Sequence, residues 1–362
     1  MLNQKLDNTT NISKEVKGFL ETKYKMKFEK KLGEGTYGVV YQVMMYNGIQ
    51  YAIKIFKQIK GIVKKENFDK KINHEIKYSL NLRSNYVIMG FKGNKIIRNN
   101  ENIYVLFMER AKYIDLNSFI YNFNNYNLLR IKNNTNKFPW LYNFSEFSIK
   151  FFAFQIIKLL EFLDLNLLVH FDFKPGNILL GDNFNIKLSD FSQAKQVIYN
   201  HKYISLNAGT YHYMAPEFYE KTKDILSKNA MCVDYFSFGC ILFYMICKKD
   251  LIEEMYDKNK NKIIPQKNDI KNFIIQGKKL IENLNYSKEL KVLICKLINI
   301  LPQKRPKMNE LLENEWVNND YKLINKIKYI NLNQNIKIFT EFQKIQYIYK
   351  MSKRRRKYNI YE

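Results

Sequence analysis

One short polar run constrains this chain more than any other feature. His170-Phe171-Asp172-Phe173-Lys174-Pro175-Gly176-Asn177 follows an apolar stretch and leads directly into Ile178-Leu179-Leu180. Asp172 can accept or orient the proton of an attacking hydroxyl. Lys174 can neutralise charge on a moving phosphoryl group, and Asn177 can ligate a metal. Thirteen residues beyond Asn177, after the strand-like Ile186-Lys187-Leu188-Ser189, comes Asp190-Phe191-Ser192. Its carboxylate could hold Mg²⁺ across phosphates. Taken singly, each of these groups also reads as an ordinary turn residue, so the inference rests on their order and spacing.

Upstream, Gly33-Glu34-Gly35-Thr36-Tyr37-Gly38-Val39-Val40 lies between two strand-like stretches. That is not the strand-to-helix setting of a dinucleotide fingerprint. Glycines here would let a hairpin bring its backbone N–H groups close to a triphosphate, although a plain hairpin turn explains the same spacing. Ala52-Ile53-Lys54 lies on the next strand, after an Asn47-Gly48 turn signal. A lysine inside an apolar run needs a partner. Glu75, on a helix expected over 66–82, suits it, with Glu66 as the rival; a solvent-facing edge lysine is the plain alternative. Ile103–Met108 reads as a buried strand.

Assembled, these segments resemble the eukaryotic protein kinase family over about residues 28–317. HFDFKPGN is similar to HRDLKPEN and DFS to DFG. Gly209–Glu217 resembles the GTxxYxAPE segment, Asp234–Gly239 resembles DxWSxG, and Arg305 resembles the arginine that pairs with Glu217. The resemblance implies an α+β, two-lobed fold: a small antiparallel β lobe with one helix, a larger mainly α lobe, and ATP in the cleft. It implies catalytic roles for Lys54, Glu75, Asp172 and Lys174, and Mg²⁺ held by Asn177 and Asp190. Nucleotide contacts would fall at Gly33, Glu34, Gly35, Thr36, Tyr37, Gly38, Val40, Ala52 and Lys54. Met108 would guard the back of the adenine pocket, Glu109 to Ala111 would form the hinge, and Asp115 could meet the ribose. Lys174 with Thr210 favours protein substrates with serine or threonine acceptors. Three residues depart from the family pattern. Phe171 replaces the arginine of HRD, Ser192 replaces the glycine of DFG, and Ser79 stands where a large apolar residue usually packs toward Phe191. These departures are the case for the alternative, a pseudokinase acting as an ATP-binding scaffold or regulatory module.

The expected organisation is an N-terminal extension (1–24), loosely held, then a small lobe (25–111) and a larger lobe (112–320) with an Asn-rich insertion at 121–143. A basic tail (321–362) follows. Ser145 is the expected N-cap of a helix running through FFAFQIIKLLEFL, with further helical segments around 234–247, 288–300 and 308–317. Lys and Arg number 60 against 34 acids, giving a net charge of +26. Lysine is spread through the whole chain and no stacking module or base-reading motif accompanies it, so nucleic acid is disfavoured as a partner. Four cysteines without a C-x-x-C pair argue against a zinc or disulfide framework and fit a reducing compartment. No apolar signal segment opens the chain, and the uncharged run Tyr235–Cys247 is too short to span a bilayer. The expectation is an intracellular, cytoplasmic protein with no membrane span, with the basic run 353–357 as a nuclear-import or phosphate-binding candidate against a plain solvated tail. Nothing in the sequence fixes an oligomeric state.

Overall fold

The computed structural model describes residues 12–35, 37–56, 65–98, 101–121, 144–198, 203–205, 209–219, 224–256, 262–263 and 265–318. Thr36, most of the Asn-rich insertion, the basic tail, and the side chains of Glu66 and Ser205 lie outside the described residues. The chain divides into two compact units, 1–112 with 187–192, and 113–186 with 193–362.

The first unit is built on a five-stranded antiparallel sheet: β1 (Met26–Gly35), β2 (Gly38–Met45), β3 (Gln50–Phe56), β4 (Gly90–Arg98) and β5 (Glu101–Met108). Their order across the sheet is β1-β2-β3-β5-β4. The β2–β3 connection turns at Asn47-Gly48, where Gly48 has φ +81° and its N–H donates to Met45 O at 2.9 Å. Apolar, β-branched side chains alternate along β2 and β3 and bury Val39, Tyr41, Val43, Ile53 and Ile55 on one face. One helix, α1 (Lys14–Tyr24), covers that face.

Residues 14–24 are therefore not a loosely held extension. Ile12, Val16, Phe19 and Leu20 recur at helical spacing among the lysines and glutamates, and Leu20 is fully buried. Ser13 Oγ caps the helix start by accepting from Val16 N–H at 3.2 Å. The Glu21 carboxylate accepts the Phe28 N–H at 2.8 Å, and Tyr24 packs edge-on to Phe107.

The second helix, α2 (Lys65–Asn81), packs against β4. A Cβ added at Gly93 would sit 2.4 Å from Ile76 Cγ2, and one at Gly90 would sit 3.0 Å from the Ser79 carbonyl. The helix lies on the strand at a distance that only glycine permits.

Residues 187–192 were expected with the larger lobe and belong instead to this first unit. The reason is backbone pairing: Leu188 N–H donates to Tyr86 O and Ile88 N–H donates to Leu188 O, each at 2.8 Å.

The second unit is mainly helical. It contains α3 (116–121), α4 (Glu146–Leu165), α5 (Cys232–Cys247), α6 (Lys267–Glu282), α7 (Lys288–Leu297), α8 (Met308–Leu312) and α9 (Glu315–Asn318). Ser145 caps α4 as expected, accepting from Ser148 N–H. The helix expected over 308–317 is broken, because the Asn314 side chain accepts from Val317 N–H and opens a new helix there. The core runs along α4 and α5, with Phe152, Leu160, Phe236, Phe238 and Phe243 essentially inaccessible. Among the described residues one helical stretch, Ser227–Cys247, is long and apolar enough to cross a membrane, longer than the run read from sequence, yet 78% of its most apolar 18-residue window is buried inside the fold. It is the core helix of this unit. Short strands β6 (Leu168–Val169) and β7 (Ile178–Leu180) flank the polar run, and β6 pairs with Lys195–Gln196.

Candidate functional site

In the first unit, β3 carries Lys54 with its ammonium buried. An uncompensated charge there would be prohibitive. Lys54 Nζ meets Glu75 Oε1 at 2.5 Å and lies 3.9 Å from Asp190 Oδ1. Glu75, three turns into α2, is therefore the partner of Lys54. Burial pulls the Lys54 pKa down, but Asp190 and Glu75 outweigh it, and the net shift is upward. Burial pushes Glu75 up, Lys54 pulls it down, and Asp190 pushes it up again. The net result raises Glu75 to about 7, and the pairing itself rests on the 2.5 Å contact.

The β1–β2 hairpin carries Gly33, Glu34, Gly35, Tyr37 and Gly38. Among the described residues nothing lies within 4 Å of a Cβ built at Gly33 or Gly35, whereas one at Gly38 would come 2.5 Å from Ile55 O. Gly38 is thus required by the packing of β2 on β3. Gly33 and Gly35 meet no such demand from the protein, which fits a loop whose backbone approaches a ligand. Glu34 pairs with Lys31, and the Tyr37 hydroxyl accepts from Lys71 Nζ at 2.8 Å. Val40 sits opposite Lys54 in the β2–β3 register, and Ala52 sits opposite Met108 in the β3–β5 register. Met108 is 9% exposed. Glu109 follows it, its N–H donating to Met89 O at 3.0 Å, and Ala111 is half-buried just beyond.

Asp190 adopts φ +64°. Ser192, in the place of the family's glycine, lacks that residue's φ freedom. The structure places the left-handed residue at Asp190, not at Ser192, which donates its N–H to Asp190 Oδ1 at 3.3 Å. The serine is therefore unstrained. Asp190 offers oxygen to a cation, as does the side-chain carbonyl of Asn177, and hard oxygen donors suit Mg²⁺. Among the described residues no three His, Cys, Asp or Glu side chains gather as a self-sufficient metal site. Either residue by itself supplies only part of a cation's shell, and phosphate oxygens commonly complete it for Mg²⁺.

In the second unit, the segment from His170 to Asn177 is suspended from a buried carboxylate. Asp234 on α5 accepts the His170 N–H at 2.7 Å and the Phe171 N–H at 3.1 Å. Burial pushes Asp234 up to about 7, against the pull of those two N–H groups, with Asp172 adding to the rise. This fixes the backbone of Phe171 in a left-handed conformation, φ +62°, and aims Asp172.

Asp172 Oδ1 accepts from Thr210 N–H at 2.9 Å and from Thr210 Oγ1 at 2.8 Å. Its Oδ2 accepts from Asn177 Nδ2 at 3.1 Å and lies 2.8 Å from Lys174 Nζ. Lys174 also donates to Thr210 Oγ1 at 2.6 Å. Asp172, Lys174, Asn177 and Thr210 are thus brought together as one closed network. The Asp115 carboxylate, by contrast, accepts from Ser118 N–H and Oγ and caps α3, so its side chain already has a structural task.

The downstream segment is pinned independently. Glu217 and Arg305 form a buried bidentate pair, both contacts at 2.7 Å. Phe171 is buried, with Lys195 Nζ 5.7 Å from its ring centroid and Phe218 edge-on at 6.1 Å.

Sequence reasoning missed two arrangements. One is the contact between Lys71 and Tyr37. The other is an ion pair between Glu109 and Lys187 at 3.0 Å. Neither lysine sits in a motif, and in a chain this rich in lysine no local signal marks them.

Comparison with known proteins agrees with the geometry. The protein kinase domain family matches residues 26–317. A probable receptor-like protein kinase of Arabidopsis thaliana is 28% identical over 79% of this chain and 33% of its own length. The rust resistance kinase Lr10 of Triticum aestivum is 27% identical over 79% of this chain and 43% of its own. A probable serine/threonine-protein kinase, PLK, of Dictyostelium discoideum is 25% identical over 74% of this chain and 23% of its own. The chain thus spans less than half the length of each of these relatives.

Proposed function

We propose that this chain, which belongs to the protein kinase family, is catalytically active and transfers the γ-phosphate of ATP to serine or threonine hydroxyls of proteins. The observation that carries the reading is the closed network around Asp172. A scaffold that only bound nucleotide would have no need to orient this carboxylate through Thr210, Asn177 and Lys174 at once.

Phosphoryl transfer asks little covalent chemistry of a protein and much positioning and charge neutralisation. Asp172 would orient the acceptor hydroxyl and receive its proton, with its direction fixed by Thr210. Lys174 would balance charge on the phosphoryl group while holding Thr210. Lys54, kept in place and charged by Glu75, would hold the α- and β-phosphates, and the backbone of Gly33 and Gly35 would lie over them. Asp190 and Asn177 would hold Mg²⁺, which supplies charge neutralisation on the phosphates. Serine or threonine preference rests on the Lys174–Thr210 pair and on similarity to relatives such as the probable serine/threonine-protein kinase of Dictyostelium.

The test is phosphate incorporation into a generic protein substrate with Mg²⁺-ATP, followed by phosphoamino-acid analysis. Asp172→Asn should lower the rate by about 10²–10⁴-fold. Equal incorporation by wild type and Asp172→Asn would replace this reading with the pseudokinase one. Phosphotyrosine as the dominant product would remove the serine/threonine assignment.

A further inference from the structure

The last rung of the sheet in the first unit is Met108, which pairs with Ala52 on one side and Gly90 on the other. Beyond it the ladder ends, and the backbone from Glu109 to Ala111 needs another restraint. Three contacts converge on Glu109. Its N–H donates to Met89 O at 3.0 Å, and its Oε1 accepts from Met89 N–H at 2.9 Å and from Lys187 Nζ at 3.0 Å. The side chains of Lys187 and Glu109 are only 17% and 21% exposed, so the pair is largely withdrawn from solvent screening. Lys187 is in turn held in place, because its neighbour Leu188 is bonded on both backbone groups to Tyr86 and Ile88. Two residues beyond Leu188 stands Asp190, 3.9 Å from Lys54. One brace thus ties the residues after β5, which the kinase resemblance makes the hinge beside the base, to the residues before Asp190, which would hold Mg²⁺ in the function proposed above.

We propose that Lys187 is a positioning residue for nucleotide binding: by holding the Glu109 carboxylate it fixes the backbone of 109–111 in the geometry that receives the base. This rests on the ATP-dependent reading above. Lys187 itself would touch neither nucleotide nor substrate. A fully exposed lysine in the same place would be worth little, but this one closes a part-buried junction of three chain segments, where removing one partner leaves the other charge less well satisfied.

The experiment measures ATP affinity by displacement of a fluorescent nucleotide, together with KM for ATP and kcat, on the full chain. Lys187→Met keeps the aliphatic stem and removes the ammonium. The expected result is an ATP Kd and KM raised roughly three- to tenfold, with kcat falling by less than KM rises. Lys187→Arg, which keeps the cation, should recover most of the loss. Glu109→Gln should show the same phenotype, and the double variant should be no worse than either single one, because both remove one interaction. A purely structural role would lower the melting temperature without this split between KM and kcat. If wild type binds ATP and Lys187→Met binds it equally well, or if the two substitutions add fully, the positioning role is wrong while the kinase reading stands. If wild type binds no ATP at all, both are wrong. Should Lys187→Met fail to fold, the Lys187→Arg and Glu109→Gln measurements decide alone.

Discussion

Leu20→Ala is the most direct test of whether α1 is part of the first unit's core. The family match begins at residue 26, so α1 lies outside it. Leu20 nevertheless has no accessible surface and sits among Val39, Tyr41, Val43, Ile53 and Phe107. Truncating a fully buried leucine costs about 2–5 kcal/mol, depending on how far the surroundings collapse into the cavity. An 11-residue helix at the edge of a unit can shift, which favours the lower half of that range. Its other ties, Glu21 to Phe28 N–H and Tyr24 to Phe107 and Asn94, oppose such movement. A loss of about 2–4 kcal/mol is therefore expected, or a melting temperature lower by roughly 4–12 °C at about 2–3 °C per kcal/mol for a chain of this size. The assay is urea unfolding followed by far-UV circular dichroism, with amide exchange at Val39–Val43 reporting on the first unit separately in case unfolding is not two-state. Lys14→Ala, at an exposed site on the same helix, should stay within about 0.5 kcal/mol of wild type. If Leu20→Ala is as stable as Lys14→Ala, α1 is not packed on the sheet and the argument fails.

By the kinase resemblance an activating phosphate on the 190–217 segment, with Ser205 as candidate, would meet the arginine that Phe171 replaces; without that guanidinium, phosphatase-treated protein and Ser205→Ala should each keep the proposed kinase activity within about tenfold of untreated protein, or 1.4 kcal/mol of transition-state stabilisation. Burial tends to raise the Glu146 pKa, but hydrogen bonds from Ser287 and Trp316, with Lys150 nearby, hold it below its ordinary 4.5. An acid whose folded pKa is depressed contributes stability that is present above 4.5 and lost as pH falls through the folded value, so Glu146→Gln should flatten the acid limb of a urea-stability profile taken from neutral pH to about pH 3. Gly93→Ala would drive a methyl to 2.4 Å from Ile76 Cγ2 and should destabilise by about 1–3 kcal/mol; the double variant with Ile76→Ala should recover part of it in the same unfolding assay.

What the sequence made legible follows a physical division. The candidate site groups are polar residues in apolar surroundings at fixed intervals, and such groups advertise themselves. Lys54, Asp172, Asn177 and Asp190 all stand out in this way. Helices with strong caps were equally readable, as Ser145 shows. The α1 helix was misread because its stripe of Ile12, Val16, Phe19 and Leu20 is diluted by lysine, and the surface it covers is contributed by strands that follow it in sequence. The affiliation of residues 187–192 could not be seen either, since it depends on backbone pairing of Leu188 with Tyr86 and Ile88, about a hundred residues earlier. Long-range pairing of peptide groups leaves no side-chain signature. Asp115 is an opposite case: its type and position suited a ribose contact, but the same carboxylate meets the N-terminal need of α3 through Ser118.

The three departures from the family pattern can be weighed against their local surroundings. Ser192 would be costly if its position required φ above zero; here that conformation belongs to Asp190, so serine is admitted without strain. Ser79 removes a large apolar side chain from the face of α2, yet the helix still seats closely, because Gly90 and Gly93 let the strand approach its backbone and Ile76. Phe171 surrenders a phosphate receiver and gains a buried ring held edge-on by Phe218, with the Lys195 ammonium over it. Such aromatic and cation–π contacts are worth about 0.5–2 kcal/mol each and need no modification to form. In each case the lost interaction is replaced by one built from residues within the same unit, and none of the replacements displaces Lys54, Asp172, Asn177 or Asp190. A chain relieved of catalysis would be under no demand to keep these four in place while its neighbours changed. That combination, altered supports around four candidate residues still in place, is the argument for the proposed phosphoryl transfer over a scaffold role, and it makes the rate of Asp172→Asn the measurement on which the choice turns.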